Sequence, residues 1–161
     1  MKRVILMLAL AACLVCIAGR AWAAETDTIT VTVSMESVVS VDVTPAAWNI
    51  GAIGESGGSG PESFTATNDG NVTEDLTITG ANGANGWNIG AAAGVDVFAV
   101  TLDRGELSED MLETSPVPLT SSLAPDAGHG FTLDYSAPTE DNQGGGVDHS
   151  FSITITASAS P

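Results

Sequence analysis

Residues 64–79 read Phe64-Thr65-Ala66-Thr67-Asn68-Asp69-Gly70-Asn71-Val72-Thr73-Glu74-Asp75-Leu76-Thr77-Ile78-Thr79. Two runs alternate apolar with small polar residues, and a turn-forming tetrapeptide separates them. Alternation with period two gives a strand one buried and one wet face. Threonine on the wet face suits a pleated strand. Asn68-Asp69-Gly70-Asn71 has hairpin-turn chemistry, so the stretch predicts two antiparallel strands joined by a hairpin.

The same grammar extends in both directions. Thr28-Ile29-Thr30-Val31-Thr32-Val33 alternates strictly, as does Val39-Ser40-Val41-Asp42-Val43. Val95-Asp96-Val97-Phe98, Phe131-Thr132-Leu133-Asp134-Tyr135 and Phe151-Ser152-Ile153-Thr154-Ile155-Thr156 follow the same pattern. Glycine-rich loops lie between them at 51–61, 80–86 and 144–146. Roughly seven to nine short strands without a long helical pattern predict an all-β fold, an immunoglobulin-like antiparallel β-sandwich. Only residues 102–112 have helical character. There Glu106, Glu109, Asp110 and Glu113 share one helical face, and Leu107 and Met111 share another. Like charges at that spacing weaken a helix, so the segment is read as a solvated helical turn between strands.

The first residues read as an export signal. Met1-Lys2-Arg3 is a positive n-region, residues 4–19 are almost continuously apolar, and Ala21-Trp22-Ala23 offers small residues at the cleavage positions. Sixteen residues are short for a membrane span of about 20. The expected organisation is a signal peptide over residues 1–23 and one β-sandwich domain over 24–161, secreted to the extracellular space or cell surface. Cleavage after Ala24 is the alternative peptidase position. Leu10-Ala11-Ala12-Cys13 matches a bacterial lipobox and offers lipidation at Cys13 as a competing fate.

Cleavage after Ala23 removes Cys13, Cys16, Lys2, Arg3 and Arg20. The remaining chain has no cysteine for a disulfide, and Arg104 alone faces 20 carboxylates, a net charge of about −19. The formal charge of −16 for the whole chain already argues against nucleic-acid binding, which needs a basic surface. A hydrophobic share of 43% argues against a disordered acidic tail. No second apolar span follows the leader, so no membrane insertion is expected after processing. Such a surface repels its own copies and attracts cations.

The pieces Trp48-Asn49-Ile50-Gly51 and Trp87-Asn88-Ile89-Gly90 echo each other 39 residues apart. In each, Trp and Ile point to one face, and glycine permits a turn. The piece at Trp48, the loop at 54–60 and the Asn68 to Asn71 turn together resemble short secreted bacterial immunoglobulin-like surface proteins. The paired Trp-Asn-Ile pieces also resemble the Trp-x-Leu motifs of WxL cell-wall-binding domains, with Ile in place of Leu, and the ending 151–161 is similar in style. The resemblance implies a surface or extracellular β domain without an activity. It makes Trp48 and Trp87 candidate contacts for glycan or cell wall, with core packing as the alternative.

Glu140, Asp141 and Asp148, flanking a glycine run, offer oxygen ligands for calcium without the EF-hand spacing. His129 and His149 start candidate strands. If those strands pair as a hairpin, the histidines lie too far apart for zinc, and they are expected to face solvent. Gly54-Glu55-Ser56-Gly57-Gly58 matches the Gly-x-Ser-x-Gly pattern but lacks the flanking strand and helix that strain the serine outward. Paired carboxylates for glycoside hydrolysis are unspecific among 20 candidates. Asn71-Val72-Thr73 is a glycosylation sequon, read as coincidental.

These readings lead to a non-enzymatic extracellular structural protein without an obligatory cofactor, a subunit of a surface coat, fibre or matrix. Residues 25–34 would add to the sheet edge of a neighbouring copy or another surface protein, and calcium or another cation would bridge the acidic surfaces. The alternative is a β-sandwich module that binds cell-wall polysaccharide.

Overall fold

The computed structural model describes residues 28–105, 110–143, 146 and 148–161. The signal segment 1–23, the lipobox Cys13, Glu106, Glu109 and Gly144-Gly145 lie outside them. The chain divides into two compact units, Met1–Met35 and Glu36–Pro161. The second holds the sandwich; the first is described only over residues 28–35.

Nine strands are found among the described residues: β1 Val41–Thr44, β2 Glu62–Asn68, β3 Glu74–Gly80, β4 Asn88–Ile89, β5 Val97–Asp103, β6 Asp110–Met111, β7 Val117–Leu123, β8 Gly128–Ser136 and β9 Ile153–Ala159. They form two sheets. The larger has the order β1-β2-β8-β5-β4, with β6 also paired to β5, and the smaller is β7-β3-β9. All pairings are antiparallel except β4 with β5, which is parallel. The protein is therefore an all-β two-sheet sandwich, as the alternation predicts.

The period-two rows form its interior. In β3, Glu74, Leu76, Ile78 and Gly80 are buried in alternation with half-buried neighbours. Phe64 and Ala66 from β2, Phe98, Val100 and Leu102 from β5, and Phe131, Leu133 and Tyr135 from β8 complete the core with Leu112 and Leu119. Phe64 and Phe131, direct partners across β2 and β8, have ring centroids 5.6 Å apart. Phe98 sits where the sheets meet, 5.8 Å from the Tyr135 ring and 4.6 Å from the Phe151 ring. Burial leaves no water to stabilise a phenolate, so the Tyr135 hydroxyl is pushed up to about 12.

Several expectations change. Asn68 to Asn71 does not close a hairpin: β2 pairs with β1 and β8, and β3 pairs with β7 and β9. The turn instead carries the chain from one sheet to the other. Asn68, fully buried, holds it there. Its Nδ2 donates to the carbonyls of Val72 (2.8 Å) and Leu123 (2.9 Å), and its Oδ1 accepts from Gly70 N–H (2.9 Å). Gly70 is required by close approach, because a Cβ there would lie 2.4 Å from the Val38 carbonyl oxygen.

Residues 102–112 are not a helical turn between strands where they are described. Leu102 and Asp103 finish β5, and Asp110–Met111 returns as β6, pairing Thr101 with Met111 and Leu102 with Asp110. The hairpin ladder satisfies backbone groups that a helix of like charges would hold poorly. Arg104 supplies the missing positive charge. Its guanidinium donates to the Asp110 carboxylate and to the Pro118 carbonyl, so it ties the β5–β6 hairpin to β7 of the other sheet.

The segment Thr28 to Val33 forms no strand. Residues 28–40 have no regular structure, and 28–39 are exposed.

Candidate functional site

Two regions have chemistry that packing alone does not account for: the N-terminal extension and a loop cluster around Trp87.

The extension is fastened at its base. Asn71 Nδ2 donates to Glu36 O (2.8 Å), Val38 N–H donates to Asn71 Oδ1 (2.8 Å), and Asn71 N–H donates to Val38 O (3.0 Å). Asp69 N–H reaches Ser40 O (3.0 Å), and Ser40 N–H reaches Glu74 Oε1 (2.8 Å). The sequon asparagine thus clamps the chain that enters β1. Before this clamp the alternation continues into solvent: Ile29 is 89% exposed, Val31 76%, Val33 80% and Met35 85%. Four apolar side chains at spacing two, all this exposed, form a strand pattern that pairs with none of the described strands.

The loop cluster joins several of the sequence's candidates. Trp87 stacks on His149, with ring centroids 3.8 Å apart and planes 6° from parallel. The Trp87 indole N–H donates to Asp141 Oδ1 (3.1 Å), and His149 Nε2 lies 4.0 Å from Asp141 Oδ2. Gln143 N–H also donates to Asp141 Oδ1 (2.9 Å). The indole bond, the Gln143 amide and the nearby imidazole hold the Asp141 carboxyl below its usual range. Asp96, with φ of 55°, accepts from Asn142 N–H (2.7 Å) and Gln143 Nε2 (3.0 Å), and Glu55 Oε1 accepts from Asp141 N–H (3.3 Å).

The histidines are not solvent-facing strand ends. β8 and β9 lie in different sheets, so the expected hairpin between them does not exist. The His149 side chain is only 7% exposed, covered by the indole it stacks on. His129 Nε2 is buried without a hydrogen-bond partner, and burial together with the Arg104 charge lowers its affinity for a proton.

Of the calcium candidates, Asp141 is engaged as an acceptor from Trp87 and Gln143. Asp148 contributes its backbone carbonyl to Asn85 Nδ2 (3.4 Å), and the Glu140 carbonyl accepts from Asp96 N–H (2.9 Å). Among the described residues, no group of three or more His, Cys, Asp or Glu side chains is arranged to hold a metal ion.

Both candidate tryptophans pack against the core, half-buried. The edge of Trp48 meets Phe64 at 5.8 Å and 74°, while one face of Trp87 is covered by His149. The two echoing pieces differ at their glycines: Gly51 turns with φ of +75°, whereas a Cβ on Gly90 would meet Val97 at 2.8 Å. Ser56 has φ of 60° in a loop whose Ser56 N–H donates to Pro138 O (2.8 Å). A shallow depression of about 340 Å³ over β2 and β8 is lined by Ser63, Thr65, Gly130, Thr132 and Asp103.

The sequence singled out Trp87, Asp141 and His149 separately and did not bring them together. They meet only because β4, the 141–143 loop and the approach to β9 converge at one end of the sandwich, and no local pattern encodes that.

The Asp141 contacts predict a pH response. A carboxyl whose folded value is depressed stabilises the fold above its unfolded value, and this contribution is lost as pH falls through the folded value. The Asp141 side-chain carboxyl carbon resonance is therefore expected to keep its charged position down through about pH 4, the ordinary carboxylate range, and to move only below it. In Asp141→Asn that low-pH step should be absent. A step at the ordinary range in the unsubstituted protein would refute the assignment.

The chain matches no protein-family model and no curated protein.

Proposed function

We propose that this chain is an exported, non-enzymatic structural subunit of a surface coat, fibre or matrix, and that the exposed N-terminal segment joins one subunit to the next. The observation that carries the reading is the segment 29–35. Its apolar residues alternate as in a strand, stand in solvent at their full spacing, and lead directly into a clamped β1. Exposed apolar strands are a recurring cause of association between sheets, because edge backbone groups and alternate side chains are both left to be satisfied. The export signal read at residues 1–23 and the resemblance to bacterial surface domains fit the same role.

Charge sets the conditions. Copies of a chain with a formal charge of −16 repel one another, and salt or divalent cations weaken that repulsion. Assembly should therefore strengthen with ionic strength and with millimolar calcium.

The test is light-scattering mass of the exported protein, with and without residues 28–35, in chelator and then in calcium. The intact chain is expected to form assemblies of many subunits, more of them in calcium. The internal deletion is expected to remain a folded single chain. Equal masses for the two proteins in every condition would sink the reading. The N-terminus of the exported protein should be Ala24; recovery of a lipidated Cys13 would instead place the subunit on a membrane anchor.

A further inference from the structure

Resting on that reading, we infer that the surface receiving residues 28–35 of a second copy is the free edge of β9. Each sheet has two ends, and they are not equivalent. β7 is interrupted: it contains Pro118, its register with β3 shifts twice, and Ser122 has φ of 54°. Proline, bulges and irregular backbone are how edge strands are kept from pairing. β4 is two residues long, and β1 is four. β9 has none of these protections. It spans seven residues, Ile-Thr-Ile-Thr-Ala-Ser-Ala, pairs with β3 in unbroken register, and carries no charge and no proline.

The ladder defines which groups are free. Ala81 N–H donates to Ser152 O (3.0 Å) and Ser160 N–H to Thr73 O (2.8 Å), in the register that pairs Gly80 with Ile153 and Glu74 with Ala159. Antiparallel pairs alternate between bonded and non-bonded. The even-numbered residues of β9 therefore bond toward β3, and the backbone N–H and C=O groups of Ile153, Ile155, Ala157 and Ala159 point to the other side. Ile153, Ile155 and Ala157 also turn their side chains toward the core, yet they remain half-buried, as do Val41 and Val43 of β1, which β9 approaches. The equivalent row on β3 is fully buried. Among the described residues, the smaller sheet is thus open at β9 in both hydrogen bonding and apolar cover.

Residues 28–35 fit that edge. They match β9 in length within one residue, place Ile29, Val31, Val33 and Met35 at the same period, and carry no charge. In a chain this acidic, a neutral strand meeting a neutral edge avoids the like-charge penalty of direct cross-strand neighbours. Each subunit has one such segment and one such edge, and the two are unlike in sequence. The contact is therefore head-to-tail and propagates into a filament unless the rotation closes a ring.

The decisive variant is Ala157→Pro. It removes one outward N–H from the free edge, alters little side-chain volume, and leaves the bonds to β3 in place. The full chain with Ala157→Pro is expected to scatter as a single folded subunit, with the far-ultraviolet circular dichroism of the parent. If it assembles like the parent, β9 is not the acceptor. In that case the 28–35 deletion still decides separately whether the segment joins subunits at all. Cross-linking covers the case in which the proline unfolds the domain. One copy carries Thr28→Cys, Thr30→Cys or Thr32→Cys, and a second carries Thr154→Cys, Thr156→Cys or Ser158→Cys, all on the outward face. Oxidation of mixed assemblies should join at least one such pair, identified by mass spectrometry of the joined peptides. Assemblies that form without any of these links overturn the assignment.

Discussion

Replacing Phe98 by alanine is expected to lower stability by about 3–5 kcal/mol, the cost of removing a large aromatic from a closed core. Phe98 is fully buried on β5, and its ring contacts Tyr135 of the larger sheet and Phe151 at the entrance to β9 of the smaller one. It therefore holds the two layers together as well as filling space. Natural domains have only about 5–15 kcal/mol in total, so the loss is a large share of the parent's margin. Urea unfolding of the parent and of Phe98→Ala measures it directly. At a slope of about 1–3 kcal/mol per molar, the midpoint should fall by about 1–5 M. A midpoint within about 0.3 M of the parent would mean that the layers do not meet at this ring.

Asn68→Ala is expected to cost about 2–4 kcal/mol, since it leaves the buried Leu123 carbonyl and the part-buried Val72 carbonyl and Gly70 N–H without their Asn68 partner. The loss has a location as well as a size. The Gly70 amide should exchange with solvent faster than in the parent, and the clamp on Glu36 and Val38 should loosen, because Asn71 sits on the same turn. Asn68→Asp separates geometry from volume: it keeps the shape and the acceptor but supplies no N–H₂ to the two carbonyls. A loss comparable to that of alanine is expected. An aspartate variant as stable as the parent would assign the site's importance to packing instead.

Some of this fold was readable in the sequence, and the reasons differ by segment. Leu76-Thr77-Ile78-Thr79 and Phe131 to Tyr135 alternate because each lies in a sheet with one face on the core, and periodicity reports that directly. β7 was missed because Pro118 and Ser121-Ser122 break the pattern; its strand character comes from the register with β3 and from the Arg104 link, both long-range. The Asn68 turn was recognised as a turn, but its role was not. Turn chemistry specifies that the chain reverses locally, whereas the buried Asn68 amide sends it to the opposite sheet. Thr28 to Val33 was the reverse case. Its alternation is real, but the described residues 28–40 take no regular structure, so pattern alone overstated the strand. The Trp87–His149–Asp141 cluster joins positions 54 and 62 residues apart in sequence from Trp87, which no local reading connects.

Arg104 has a consequence of another kind. Beyond residue 23 it is the sole lysine or arginine of the chain, and its side chain is only 8% exposed, engaged with Asp110 and Pro118. Within residues 24–161, a protease that cuts after basic residues therefore finds one candidate site, and its arginine side chain is engaged while the sandwich is folded. In the same residues, reagents that label lysine amines have no side chain to modify. Residues 24–161 are thus chemically quiet toward a whole class of digestive enzymes, through the near-absence of the residues they require and the sequestration of the one that remains.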